Sequence, residues 1–247
     1  MNATNPAEAD DRLQQQLINQ YAEFVQLVGG LAHEIRNPLS TIRLNMELLA
    51  EDFHNAKTPA ERRAANKIAV VQRESIRLQE LLDDFLNFAR VRNLNLIPKD
   101  INSLVAVALD LFEPQAASSG LDVQRYLDAD LARVLIDPET FQAALLNLII
   151  NAQQAMPEGG QLVVRTRATP TGVALDLIDT GCGMDAATIN RAFDPFFSSK
   201  PGGSGLGLPT TRKIIEAHGG SLSVQSEPGQ GTQFTIELPT PPRLTAE

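Results

Sequence analysis

Residues 161–184 read QLVVRTRATPTGVALDLIDTGCGM, and this stretch decides the fold of the second half of the chain. It contains two strand-like runs and ends in a glycine-rich turn that begins at Asp179. Blocks of strands and helices on both sides extend over about 145 residues and indicate a two-layer α/β sandwich. The predicted strands are Leu121–Leu127, Arg133–Ile136, Gln161–Thr166, Val173–Ile178, Ser221–Ser226 and Thr232–Leu238, and the predicted helices are Ile101–Ala117, Pro138–Met156, Asp185–Ala192 and Leu206–Ala217.

The chain upstream of the sandwich is predicted to form two long amphipathic helices, at about residues 13–53 and 60–92. Apolar residues in the second helix step by three and four, which is typical of a coiled-coil seam. The joint reads KTPAE, where Thr58 and Glu61 can form a capping box. A second copy of the hairpin would cover the seam in a dimeric four-helix bundle, although packing of the seam on the second domain would also cover it.

The sequence pattern changes near Pro98, and this change divides the chain. The fold class is therefore predicted as α+β, with a helical hairpin followed by an α/β sandwich. The predicted divisions are a disordered or linker N-terminus at 1–12, the hairpin at 13–93, a linker at 94–100, the sandwich domain at 101–239 and a tail at 240–247.

Composition limits the possible partners and compartments. Of the 247 residues, 43% are hydrophobic and 5% are aromatic, so the cores are expected to be aliphatic. A net charge of −9 argues against nucleic acid and anionic membranes as partners. The single cysteine, Cys182, excludes an intrachain disulfide and fits a reducing, cytoplasmic setting. Because the apolar runs are far shorter than the roughly 20 residues of a membrane span, we expect a soluble chain that senses through a cytosolic partner or through a region outside it.

One histidine in the first helix is a candidate nucleophile. Residues 31–40 read LAHEIRNPLS, and the heptad pattern places His33 on the exposed face beside Glu34, with Asn37 one turn later. A nucleophilic histidine needs one free ring nitrogen and a carboxylate that orients the other. An ordinary solvated surface histidine would show the same pattern.

The second domain carries four segments that suit a nucleotide. Asn147 and Asn151 share one helical face, and an amide oxygen can ligate Mg²⁺ beside phosphates. Asp179 at a strand end can accept a hydrogen bond from adenine, although a tight turn would also use an aspartate there. The third segment, FDPFFSSK at 193–200, is either a latch under a mobile lid or ordinary core. The fourth, at 201–220, places several glycines before a helix, as in a phosphate-covering loop.

Taken together and in this order, these segments resemble the histidine kinases of two-component signalling, in particular the nitrogen-regulator branch. The similar segments are LAHEIRNPLS (H box), Asn147–Ala155 (N box), DTGCGM (first glycine box), FDPFFSSK (F box), GGSGLGL (second glycine box) and SEPGQGT at 226–232. The resemblance covers roughly residues 20–240. It implies a dimerisation and phosphotransfer hairpin followed by an ATP-binding domain of the Bergerat type.

The resemblance also implies roles for single residues. His33 would be the phosphoacceptor, Glu34 its acid/base partner, and Asn37 the residue that orients water in a regulator phosphatase reaction. Asn151 would hold Mg²⁺ and Asp179 would recognise adenine. The remaining expected contacts to ATP are Asn147, Gly181, Gly183, Lys200, Gly203, Gly205, Leu206, Gly207 and Thr232.

One position departs from the family pattern. Many relatives carry a lysine three residues after the second asparagine of the N box, whereas this chain carries Gln154. The change removes a cation near the phosphates, and Lys200 or Arg212 is predicted to supply the charge instead.

The expected function is ATP-dependent autophosphorylation of His33, followed by transfer to an aspartate of a response regulator. Three alternatives stay open. The first is another ATPase of the same nucleotide fold, the second is a dimeric scaffold switched by ATP, and the third is a regulator phosphatase with little kinase activity.

Overall fold

The computed structural model describes residues 29–32, 34–90, 94–200 and 203–240. The chain divides after Arg90 into two compact units, which are described separately. The helices are α1 (residues 29–32 and 34–52), α2 (Pro59–Arg90), α3 (Ile101–Ser118), α4 (Pro138–Ala155), α5 (Ala186–Arg191) and α6 (Gly207–Ala217). The strands are β1 (Ile97–Lys99), β2 (Leu121–Tyr126), β3 (Val134–Ile136), β4 (Gly160–Thr169), β5 (Gly172–Asp179), β6 (Ser221–Glu227) and β7 (Gly231–Pro239).

The capping box at the start of α2 is confirmed. The Glu61 amide donates to Thr58 Oγ1 at 3.2 Å, and the Thr58 amide donates to Glu61 Oε2 at 3.1 Å. Two backbone donors that the helix leaves without an internal acceptor are satisfied in this way. The hairpin turn is therefore specified by local hydrogen bonds rather than by packing alone.

Each helix of the hairpin buries residues spaced by seven, and α2 also buries Leu86. Ala32 and Leu39 of α1 are buried, as are Ile68, Ser75 and Ala89 of α2. The Arg36 guanidinium also pairs with the Asp83 carboxylate between the two helices. Small and aliphatic side chains at a seven-residue repeat let the two helices approach closely.

A second apolar column on each helix stays exposed in the single chain. On α1 it contains Ile35, Ile42 and Leu49, which are 46%, 42% and 39% exposed, and on α2 it includes Val71 and Leu78. On α2 the predicted seam divides into these two columns, whereas on α1 the buried residues Ala32 and Leu39 were not among the predicted seam positions. The dimeric four-helix bundle would cover this second column and stays a prediction.

The second unit is built on a five-stranded sheet with the order β2-β4-β5-β7-β6. β2 and β4 are parallel, and the other neighbouring strands are antiparallel. Helices α3, α4 and α6 contribute to one continuous core with this sheet, in which Phe141, Leu148 and Ile215 are almost fully buried. The predicted fold class, a helical hairpin followed by an α/β sandwich, is confirmed.

The region predicted as a linker at 94–100 contains a short strand. Ile97–Lys99 forms β1 and pairs antiparallel with β3, in a separate two-stranded sheet. Three residues around Pro98 are too few to show a strand period in the sequence. Within the described ranges, no helix is both long and apolar enough to cross a membrane.

Candidate functional site

The predicted phosphotransfer site lies on α1. His33 itself lies outside the described residues. Glu34 and Asn37 are both exposed, and the Asn37 carbonyl accepts a hydrogen bond from the Thr41 hydroxyl one turn later. The structure therefore places two of the three predicted residues on exposed positions of one helix.

Asp179 ends the central strand β5, and its side chain is buried at 4% exposure. Its Oδ1 atom accepts hydrogen bonds from the amides of Gly181 at 2.8 Å and Thr232 at 3.2 Å. Burial raises the pKa of the Asp179 carboxyl above its ordinary value, although these two amides and the charge of Lys200 oppose the shift. A carboxyl group fixed in this way can recognise an amine of a planar ring.

The end of the sheet holds the glycine turn after β5. Ser226 on β6 accepts a hydrogen bond from the Met184 amide at 2.8 Å, and its hydroxyl lies 3.0 Å from that of Thr232. Gly183 lies inside the turn that these bonds fix. The predicted residues Gly181 and Thr232 are thereby brought next to Asp179, and Gly183 lies close to the Glu227 and Gly231 backbone.

Helix α4 presents Asn147 toward the glycine segment. Asn147 Nδ2 donates to the buried Thr211 hydroxyl at 2.8 Å. Gly207 lies so close that a Cβ there would be 2.5 Å from Asn147 Oδ1 and would displace this side chain. Asn147 is therefore held against the first turn of α6.

Lys200 reaches α4 with its ammonium group. Its Nζ atom lies 2.8 Å from Gln154 Oε1, 3.4 Å from the Asn151 carbonyl oxygen and 3.5 Å from Asn151 Oδ1. Burial lowers the pKa of Lys200, and the nearby Cys182 and Asp179 oppose the shift. The cation thus lies at the position where the family pattern has a lysine and this chain has Gln154.

Arg212, the other candidate for this charge, has a different partner. Its guanidinium carbon lies 3.6 Å from the centroid of the Phe193 ring. This cation–π contact lies at the start of the segment between α5 and α6, residues 193–200 and 203–207, which is called the lid below. Of the two predicted cations, only Lys200 is within hydrogen-bonding distance of the Gln154 side chain.

The lid between α5 and α6 folds back on itself. The Phe196 amide donates to the Gly205 carbonyl at 3.0 Å, and Phe196 has a positive φ of 65° with its ring exposed. Gly205 has a φ of +67°, and a Cβ there would meet the Phe196 and Phe197 backbone. A phenylalanine with a strained backbone packed against a glycine that no larger residue can replace is typical of a functional loop.

The N-terminus of α6 lacks a side-chain cap. Its capping position, Leu206, is buried and offers no side-chain hydrogen bond to the helix. Gly203 lies on the lid close to Ser198, three residues before this helix end. Backbone N–H groups at such an end attract phosphate.

Two contacts were missed by the sequence interpretation. Thr211 follows Gly207 by four residues and bonds Asn147 across 64 positions, a distance over which the sequence carries no local signal. His218 accepts the Asp137 amide at Nε2 (3.0 Å), so Nδ1 carries the proton toward the Ile214 carbonyl at 2.7 Å. Asp137 in turn caps α4 through the Thr140 amide. The end of α6 is thereby tied to the start of α4.

Comparison with known proteins identifies the family of both units. The family model described as "Histidine kinase-, DNA gyrase B-, and HSP90-like ATPase" matches residues 136–242, and "His Kinase A (phospho-acceptor) domain" matches residues 25–94. The catalytic domain of histidine kinase ThkA is 30% identical, with a TM-score of 0.55, and the match covers 97% of that chain and 60% of this one. This chain belongs to the sensor histidine kinases of two-component signalling.

Other members of the family match more of the chain. Sensor histidine kinase ZraS of Klebsiella oxytoca is 36% identical over 214 residues, which is 86% of this chain and 45% of ZraS. Full-length ShkA in complex with AMPPNP is 30% identical with a TM-score of 0.68, over 87% of this chain and 45% of ShkA. ThkA in complex with response regulator protein TrrA has the same fold, with a TM-score of 0.65 at 24% identity, over 98% of this chain and 69% of that one. The chain thus spans less than half the length of ZraS.

Proposed function

We propose that this chain binds ATP in the second unit, transfers the γ-phosphoryl group to its own His33, and passes it to an aspartate of a response regulator. The observation that carries the proposal is the joint placement of the buried Asp179, the two asparagines of α4 and the uncapped start of α6 in one unit. The solved complexes of ShkA with AMPPNP and of ThkA with TrrA support the nucleotide and the partner by analogy.

The nucleotide would be held at its two ends. Asp179 would accept a hydrogen bond from the adenine amine, with Gly181, Gly183 and Thr232 shaping the pocket around the ring. The phosphates would lie between α4 and the N-terminus of α6, under the lid that contains Gly203, Gly205, Leu206 and Gly207. Backbone N–H groups there would carry much of the phosphate charge.

The donor set on α4 fits a magnesium ion. The Asn151 amide oxygen already faces a cation, the Lys200 ammonium, at 3.5 Å. Among the described residues no three His, Cys, Asp or Glu side chains form a metal cluster, and Mg²⁺ in nucleotide sites needs only one or two protein oxygens beside the phosphates. Bound there, Mg²⁺ would neutralise the phosphate oxygens. Lys200 would add the positive charge that Gln154 does not provide.

The phosphoryl transfer needs mainly positioning, because the transition state is loose and in line. One ring nitrogen of His33 would attack the γ-phosphorus as the bond to the β-phosphate oxygen breaks, and ADP would leave. Glu34 would accept a hydrogen bond from the other ring nitrogen and stabilise the cation that forms. The exposed setting of Glu34 leaves this face of α1 open to a receiver domain.

Asn37 supports a second activity on the same face. Its exposed side chain lies four residues after His33 and would orient a water molecule for dephosphorylation of the regulator.

The exposed apolar columns of α1 and α2 support the homodimer. The single cysteine fits the cytoplasm, and the net charge of −9 favours a protein partner over nucleic acid.

The test is to map the phosphorylated residue after incubation with Mg²⁺ and γ-labelled ATP. We expect an acid-labile, base-stable label on His33, and we expect His33→Gln to dimerise and bind ATP without taking label. Full labelling of His33→Gln would contradict the assignment. Hydrolysis of ATP without any phosphoprotein would favour an ATPase of the same nucleotide fold.

A further inference from the structure

The Lys200 side chain connects the lid to α4, and its backbone is itself fixed. Ser198 Oγ accepts a hydrogen bond from the Lys200 amide and donates to the Lys200 carbonyl, both at 3.1 Å. The Gly203 amide donates to the same carbonyl at 3.3 Å. Because its backbone is held on both sides, the Lys200 side chain is directed toward α4 by a structured turn.

One of the acceptors on α4, Asn151, belongs to the proposed metal site. Lys200 Nζ contacts the Gln154 and Asn151 side chains, and Asn151 Oδ1 is the atom that would ligate Mg²⁺. A metal ion about 2.1 Å from that oxygen would lie within a few ångströms of the ammonium group. Two cations at that separation repel strongly in a half-buried site, so one oxygen does not serve both.

We propose that Lys200 and Gln154 form a latch that closes the lid of the nucleotide-free protein and that Mg²⁺–nucleotide must open. Released from Gln154, the ammonium is free to move to the phosphates. Gln154 is then a positioning residue that does not touch the nucleotide. The proposal deepens the proposed function, since it rests on ATP binding between α4 and the lid.

The first test breaks the latch from the side of α4. Gln154 is exposed, so Gln154→Leu removes the acceptor without disturbing the core. In nucleotide-free protein we expect amide exchange of the lid, residues 193–200 and 203–207, to become about three- to tenfold faster. Mg²⁺–ADP should bind more tightly by a similar factor, because no latch has to open. Gln142→Leu, the same change about three turns earlier on α4, is the control and should leave both values unchanged.

The second test removes the cation. Lys200→Met should also speed exchange of the nucleotide-free lid, but it should weaken Mg²⁺–ADP binding because the phosphates lose a positive charge. In the double variant, the Gln154→Leu change should add nothing further to lid exchange, as a double-mutant cycle requires of two residues that act through one contact.

The outcomes separate the latch from the proposed function. Unchanged lid exchange in Gln154→Leu, or additive effects in the double variant, would overturn the latch whatever the chain does with ATP. Weaker Mg²⁺–ADP binding by Gln154→Leu would show that the contact belongs to the nucleotide-bound state instead. Failure of the unsubstituted chain to bind Mg²⁺–ADP or to label His33 would contradict the proposed function, while lid exchange would still report on the contact.

Discussion

At the scale of single residues, Asp179 meets two opposing demands. Its buried carboxyl has a raised pKa, so the charge that suits adenine recognition costs stability. We expect Asp179→Asn to raise the melting temperature, because an amide oxygen still accepts from Gly181 and Thr232 while no charge is buried. The same change should weaken ADP binding about 10- to 100-fold by calorimetry, since the new NH₂ group would face the adenine amine.

The pH dependence gives the control for this prediction. Because the folded pKa of Asp179 is raised, its protonation contributes stability that is complete below the unfolded pKa and is lost as the pH rises through the folded value. The advantage of Asp179→Asn in melting temperature should therefore shrink on acidification. Asp185 is the matched control, because its hydrogen bonds to Thr188 lower its pKa. The stability that the Asp185 carboxylate contributes is therefore lost as the pH falls. An advantage of Asp179→Asn that grows in acid would contradict this account.

At the scale of elements, the capping box predicts a local stability effect. Thr58→Ala removes the acceptor of the Glu61 amide and should destabilise the hairpin by about 1 kcal/mol in thermal melts at fixed protein concentration. The control is Thr41→Ala in the middle of α1, where the hydroxyl bonds a carbonyl that the helix already uses. Equal losses from the two changes would show that the cap has no special role.

Local signals predicted most of the elements. Helix α6 was expected at Leu206–Ala217 and is found at Gly207–Ala217, because a periodic apolar run is followed by Gly219 and Gly220, which mark a helix end. Strand β1 was missed because its pairing with β3 is tertiary. The contact of Lys200 with Gln154 was expected only as a charge somewhere near the phosphates, since a bond across 46 positions leaves no trace in spacing. The heptad pattern likewise predicted apolar columns but not which column faces the other helix.

At the scale of the whole molecule, the exposed column of α1 predicts how two copies associate. Ile42 lies in the middle of this column, so Ile42→Lys should raise the dimer dissociation constant at least about tenfold in sedimentation equilibrium, because a charge would be buried in the seam. Leu44→Lys is the control, because Leu44 is also exposed but lies off the column. Equal dissociation of both variants would mean that the column is not the dimer interface.

The hydrogen bond from the Asp137 amide to His218 has a consequence for changes in the lid. It fixes the C-terminal end of α6 to the start of α4. The lid is therefore attached to the N-terminal end of a helix whose other end is fixed. We therefore expect changes of length between Ala192 and Gly207 to leave the rest of the second unit folded, since loop length costs little free energy when both ends are fixed.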